Sequence, residues 1–130
     1  MSLEDTNNSR DYLYGRLLAV AEYIERTALK VTGERRPTNA ERLMQRFADQ
    51  PCATWLQLEK QLSPYMQRLQ TSSQAGLLFR ARKVLDVIMA QFQPGDFIAS
   101  RRLSGEFLLG YHCQRVAMYA KSESKQENDS

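Results

Sequence analysis

The chain has 130 residues, 42% of them hydrophobic, and a formal net charge of +3; that length suits one domain whose single core buries roughly two-thirds of the unfolded surface. Its two cysteines, Cys52 and Cys113, lack the spacing of a zinc site or a disulfide framework and are expected as reduced core thiols. No apolar run approaches the ~20 residues of a membrane span, and the polar, acidic start MSLEDTNNSR is unlike a signal peptide, so the expected location is cytoplasmic, with no membrane partner.

Helical periodicity runs nearly end to end and no segment alternates like a half-buried strand, which predicts an all-α fold, a compact bundle of about five helices. Residues 1–9 are expected as a disordered N-terminus, 10–121 as the bundle and 122–130 as a disordered acidic tail. Helix one should start after Ser9 as N-cap and carry Leu13, Leu17, Val20, Ile24 and Ala28 on one face. Glu22, Glu25 and Arg26 then point away from that stripe. Gly33 and Pro37 end the helix and bracket a basic loop with Arg35 and Arg36.

Thr38-Asn39-Ala40-Glu41 has the pattern of a capping box and starts helix two, with Leu43, Met44 and Phe47 apolar. The chain breaks at Asp49-Gln50-Pro51, and Thr54 can cap helix three, with Trp55, Leu58, Leu62, Tyr65, Met66 and Leu69 inward. Pro64 has no N–H for the helical ladder and predicts a kink, or a restart capped by Ser63. Helix four follows Thr71–Gln74 and places Leu77, Ala81, Val84, Leu85, Ile88 and Phe92 on one face, with Lys83 opposite and Arg80 and Arg82 on the flanks. Pro94-Gly95 predicts a turn, Ser104 caps helix five, and that helix carries Phe107, Leu108, Tyr111, Val116 and Met118.

The inventory for catalysis is thin. His112 is the single histidine, and its helical neighbour Cys113 points about 100° away, too divergent for a nucleophile–base pair. The acidic residues are scattered as caps or ion-pair partners, such as Glu22 with Arg26 and Asp49 near Arg46, and no glycine-rich phosphate loop is present: Gly110 reads as a close-packing position. The expectation is a non-enzyme with no cofactor, no metal and no small-molecule substrate.

Basicity remains. Between residues 10 and 121 lie 17 basic and 10 acidic residues, a net of +7, and the whole chain has 13 arginines against 5 lysines. Guanidinium forks favour phosphate and carboxylate partners. Arg35, Arg36, Arg42, Arg46, Arg68, Arg80, Arg82, Lys83, Arg101 and Arg102 come from several elements, as a strand-tracking surface needs, and are the candidate nucleic-acid-binding residues. Tyr12, Tyr14, Tyr65 and Tyr119 could stack bases, though aromatics in helical stripes more often belong to a core.

Two stretches resemble a known family. Tyr12-Leu13-Tyr14-Gly15-Arg16-Leu17-Leu18-Ala19, followed by a helix bearing Glu22, and Phe107-Leu108-Leu109-Gly110-Tyr111-His112-Cys113-Gln114-Arg115 are similar to the C-terminal region of the large subunit of type I-C CRISPR surveillance complexes, or Cascade. Arg46-Phe47-Ala48 leading into Pro51-Cys52-Ala53-Thr54 resembles the family's middle segment. The chain departs from the pattern at Pro64 and after Tyr111, where a second tyrosine is often found. The resemblance implies the separately translated small subunit, with the backbone and large subunits, a second copy of itself, crRNA and target DNA including the non-target strand as partners. Its implied task is to hold the R-loop open without cleavage. Two alternatives stand: a purely structural bridging subunit, or a free-standing helical DNA-binding regulator using helices two and three.

Overall fold

In the computed structural model the described residues are 3, 6–96 and 101–128, with side chains to residue 120. They form α1 (Arg10–Thr32), α2 (Asn39–Asp49), α3 (Pro51–Gln70), α4 (Ala75–Gln91) and α5 (Glu106–Asn128), with no strand among them. The all-α bundle of five helices is thus observed.

Consecutive helices alternate in direction around α1. The amides opening α2 meet Glu25, near the end of α1, while Phe47 near the close of α2 meets Tyr14, near the start of α1. Helix α3 returns, from Cys52 beside Tyr14 to Arg68 beside Glu34. Helix α4 descends again, from Gln74 and Leu77 near Lys30 to Phe92 against the Tyr14 ring. The last helix runs parallel to the first: Gly110 lies on Tyr12, Gln114 on Arg16 and Tyr119 on Tyr23.

This arrangement places α1 in the middle of the other four helices, which corrects the single-stripe expectation. Tyr12, Leu13, Tyr14, Leu17, Leu18, Val20 and Ala21 are all fully buried, covering every side of the helix. A fully buried leucine of this kind contributes about 1.5–3 kcal/mol. Glu22 and Glu25, expected to point outward, are 1% and 0% exposed. Each has fixed partners inside, and a buried carboxyl group without them would be strongly destabilising.

Helix ends also differ from expectation. Ser9 occupies the N-cap of α1 without a side-chain cap bond; its own amide donates to Asn7 Oδ1 at 3.1 Å. Gly33 ends α1 at φ 74°, a left-handed conformation that glycine adopts without Cβ strain. Thr38 accepts from the Glu41 amide at 3.0 Å as predicted, but the Glu41 carboxylate turns to Arg26 and does not reach back. Glu25 supplies the missing cap from another helix, accepting from the Asn39 and Ala40 amides at 2.8 and 2.9 Å. Burial holds its carboxyl above the ordinary range, with those two amide bonds pulling the other way.

Helix α3 begins at Pro51 itself, where a missing N–H is harmless, so Thr54 is no cap and instead donates to the Arg46 carbonyl. It continues unbroken through Pro64 to Gln70. The alternative restart at Ser63 does not occur, and because Pro64 and Lys60, the residue one turn before it, are both exposed, water can satisfy the carbonyl that Pro64 leaves without a donor. In α4 the buried line is Leu78, Ala81 and Ile88, with Val84 and Leu85 partly buried; Leu77 lies at its margin. The Pro94-Gly95 turn forms as predicted, with Gly95 at φ 93°. Ser104 Oγ accepts from the Glu106 amide at the start of α5. Leu108 and Val116 are 47% and 50% exposed.

The tail expected from residue 122 lies largely inside α5, whose backbone stays helical through Asn128; no proline or glycine interrupts that stretch. Residues 129–130, with 1, 2, 4 and 5 of the expected N-terminal segment, lie outside the described residues.

Phe47 ties the bundle together near the start of α1. It stacks on Phe107 at 5.7 Å and meets Tyr14 and Trp55 edge-on at 5.7 and 6.5 Å, joining α1, α2, α3 and α5. Backbone and polar bonds dock the segment before α5 at the same end: Leu103 donates to the Ala48 carbonyl at 2.8 Å, Ser104 to Asp11 at 2.8 Å, and Arg10 to the Arg101 carbonyl at 2.7 Å.

Candidate nucleic-acid interface

The sequence motifs at the two ends of the chain meet each other. A Cβ on Gly15 would lie 2.0 Å from the Phe107 carbonyl oxygen, and one on Gly110 2.1 Å from that of Tyr12, so α1 and α5 touch backbone to backbone. Around this crossing Arg16 donates to Gln114 Oε1 at 2.8 Å, and the Tyr111 hydroxyl donates to Glu22. Arg26 and Arg115 complete the Glu22 surroundings at 3.5 and 3.6 Å. Burial, reinforced by the bond to Glu22, pushes the Tyr111 hydroxyl well above its ordinary pKa. Gly15, Arg16, Gly110, Tyr111, Gln114 and Arg115 therefore build the interface between the first and last helices.

Nine of the ten candidate cations fall into three places, and Arg42 stands apart near the start of α2. Arg80, Arg82 and Lys83 stand on the open side of α4, all exposed and, among the described residues, without an ion pair. Phe79 is beside them, 60% exposed, with the Lys83 ammonium 4.5 Å from its ring centre; Asp86 is the acid on that side of the helix. Near the end of α2, Arg46 donates to Gln57 at 2.8 Å, and Arg102 pairs with Asp49 at 3.1 Å, replacing the expected Asp49–Arg46 neighbours. Arg101 is exposed in the docked segment, and Arg42 is exposed on α2. At the opposite end, Arg36 and Arg68 share Glu34 and both lie over the Tyr65 ring, with Arg35 exposed between Glu34 and Arg36. The Tyr65 hydroxyl, accepting from Arg36, holds that guanidinium's pKa above its ordinary value.

Of the tyrosines that could stack bases, Tyr12 and Tyr14 are fully buried, Tyr65 is 6% exposed, and Tyr119 lies edge-on to Tyr23. Phe79, which the periodicity did not single out, is the large aromatic that faces solvent among the described residues. Its signal was positional, since it precedes Arg80 and sits one helical turn before Lys83. A cleft of about 390 Å³ between α1, α4 and α5 is lined by Tyr23, Arg26, Lys30, Gln74, Leu77 and Tyr119 among others.

Neither cysteine is in a disulfide; Cys113 is buried, and Cys52 is half-buried against the Tyr14 hydroxyl at 3.6 Å. His112 is exposed, with its ring edge-on to Tyr111. Among the described residues no group of three His, Cys, Asp or Glu side chains could hold a metal, and no helix is long and apolar enough to cross a membrane.

Inward polar groups lock the bundle and outward chemistry is cationic, which defines the class: an all-α module with basic surface patches. Residues 1–119 match the family described as CRISPR-associated protein (Cas_Csd1). The chain belongs to that family and is a type I-C CRISPR Cascade component, one that works with other Cas subunits. No curated protein matches it.

Proposed function

We propose that the chain is the non-catalytic small subunit of the type I-C Cascade complex. It stabilises the R-loop by sequence-independent contacts to the displaced non-target strand and to the crRNA–target heteroduplex. Its other partners are the backbone and large subunits and a second copy of itself. The observation that carries this reading is the open side of α4: an exposed Phe79 under the Lys83 ammonium, with Arg80 and Arg82 exposed on the same helix and none of the three cations in an ion pair among the described residues. Single-strand binding without sequence preference combines a stacking aromatic with backbone-tracking cations.

Opening target DNA exchanges one duplex for a heteroduplex of similar stability, so modest contacts to the freed strand shift the balance toward the open state. Base stacking contributes about 1–3 kcal/mol, and each neutralised phosphate adds about 0.7 to the slope of log affinity against log salt. The test substitutes Phe79→Ala, Arg80→Glu and Lys83→Glu together in the assembled complex. Target-DNA affinity should fall by at least about tenfold at low salt, with a shallower salt slope and unchanged subunit stoichiometry. Unchanged affinity would remove α4 as the contact surface.

A purely structural bridging role has its own support in the exposed Leu108, Leu109 and Val116 on α5, which suit a protein contact. Complex that loses stoichiometry on Leu109→Ser and Val116→Ser, while the α4 variants retain full DNA affinity, decides for that role. The regulator reading has no such support: a single residue, Gln50, separates α2 from α3, shorter than the turn of a helix-turn-helix.

A further inference from the structure

At the end of the bundle where α1 and α3 finish, two guanidiniums from different elements converge on one carboxylate. Glu34 presents Oε2 to Arg36 Nε at 3.2 Å and Oε1 to Arg68 Nη1 at 3.7 Å, so both oxygens are engaged. Tyr65 holds the arginines in place. Their guanidinium carbons lie 5.6 and 5.3 Å from its ring centre, and Arg36 also donates to its hydroxyl.

The carboxylate can leave without disturbing the fold. The Gly33 and Glu34 amides are tied to the Lys30 and Leu29 carbonyls at 3.2 and 2.9 Å, so the Glu34 backbone is fixed as a helix terminus while its side chain is 41% exposed. Lys30 and Arg35, both exposed, stand one turn before and one residue after it. Helix α4 starts at the same end, where Gln74 and Leu77 share a cleft with Lys30 and Val31.

We propose that the Arg36–Arg68 fork is a phosphodiester site and that Glu34 is its tethered competitor. A carboxylate seated between two guanidiniums occupies the place that two non-bridging phosphate oxygens would take, and arginine forks bind either group bidentately. The inference rests on the nucleic-acid reading above. In the free protein Glu34 keeps the fork closed. A strand already held on α4 brings its phosphates to high effective concentration and displaces the carboxylate, which a lone anion does not do. The site is thereby biased toward strands long enough to engage both places.

The experiment measures fluorescence anisotropy of a labelled single-stranded oligothymidylate with the full chain at low ionic strength, with circular dichroism of each variant as the fold control. Glu34→Gln should tighten binding by up to about fivefold, the range of an exposed ion-pair exchange. Adding Arg68→Glu to that variant should abolish the gain. Inorganic phosphate should compete no better than chloride at matched ionic strength. Equal or weaker binding by Glu34→Gln, where the wild type does bind, overturns the gated fork and leaves the nucleic-acid function standing, as does stronger competition by inorganic phosphate. Failure of the functional reading has a different signature, absence of salt-dependent binding by every variant, and it overturns the fork as well.

Discussion

Replacing Gly15 or Gly110 by alanine adds one methyl group at the point where α1 and α5 touch. The new Cβ would stand 2.0 or 2.1 Å from a backbone carbonyl oxygen, against ordinary contacts of 3.4–4 Å, and neither obstacle is a side chain that can rotate away. The two helices must therefore part by more than an ångström, stretching the Tyr111–Glu22 and Arg16–Gln114 bonds on the same interface. Overpacking of this kind costs about 3 kcal/mol, offset by up to about 1 kcal/mol from the better helix propensity of alanine. A net loss of about 2 kcal/mol lowers Tm by roughly 8 °C in a domain of this size. Thermal unfolding followed by circular dichroism reads it. Gly76→Ala in α4 is the control, since its Cβ meets nothing within 4 Å, and it should be neutral or stabilising. The double variant Gly15→Ala with Gly110→Ala should lose less than the sum, because one separation of the helices relieves both clashes. A Tm for either single variant within about 2 °C of the wild type would refute the backbone contact.

Two further substitutions probe the buried carboxylate and the helical proline. Glu25 has a folded pKa above its ordinary 4.5, so the folded state binds its proton more tightly than the unfolded one, and its contribution is fullest below 4.5 and declines as pH rises through the folded value. The wild type should therefore lose stability relative to Glu25→Gln as the pH rises above about 4.5, measured by urea titration of both proteins; a relative gain with rising pH contradicts the burial argument. Pro64→Ala restores one N–H to an exposed turn of α3 and should raise stability by about 1–3 kcal/mol, and a fall in urea midpoint would mean that the ring packs against something.

The helices were legible because their punctuation is local. Gly33, Pro51 and Pro94-Gly95 act through their own backbone geometry and Thr38 through a side-chain bond three residues on, and each marks a boundary in the structure. What periodicity could not convey is how many neighbours a helix has. Helix α1 is surrounded, so Glu22 and Glu25 read as outward charges when they are buried, and their partners Tyr111 and Asn39 lie 89 and 14 residues away. The candidate cations were legible as exposed charges because desolvating an arginine is costly wherever it sits. Their grouping was not, since Arg36 meets Arg68 through Glu34, and Arg102 meets Asp49, only once α2 and α3 have folded back. Phe79 escaped notice because an aromatic residue is read as core until its helix is oriented.

The parallel pairing of the first and last helices also sets the order in which the molecule can be made. Arg16 and Gln114 are 98 residues apart, and Gly15 waits for Phe107 and Tyr111. A nascent chain completes α2, α3 and α4 while one side of α1 is still bare and Glu22 still lacks the Tyr111 hydroxyl. Contacts of such sequence separation give the bundle a high contact order for an all-helical domain, so it should fold more slowly than a bundle stitched only by neighbouring helices. The arrival of α5 is the closing step, and until it docks the half-built chain presents an open apolar groove to whatever chaperone or stray helix it meets.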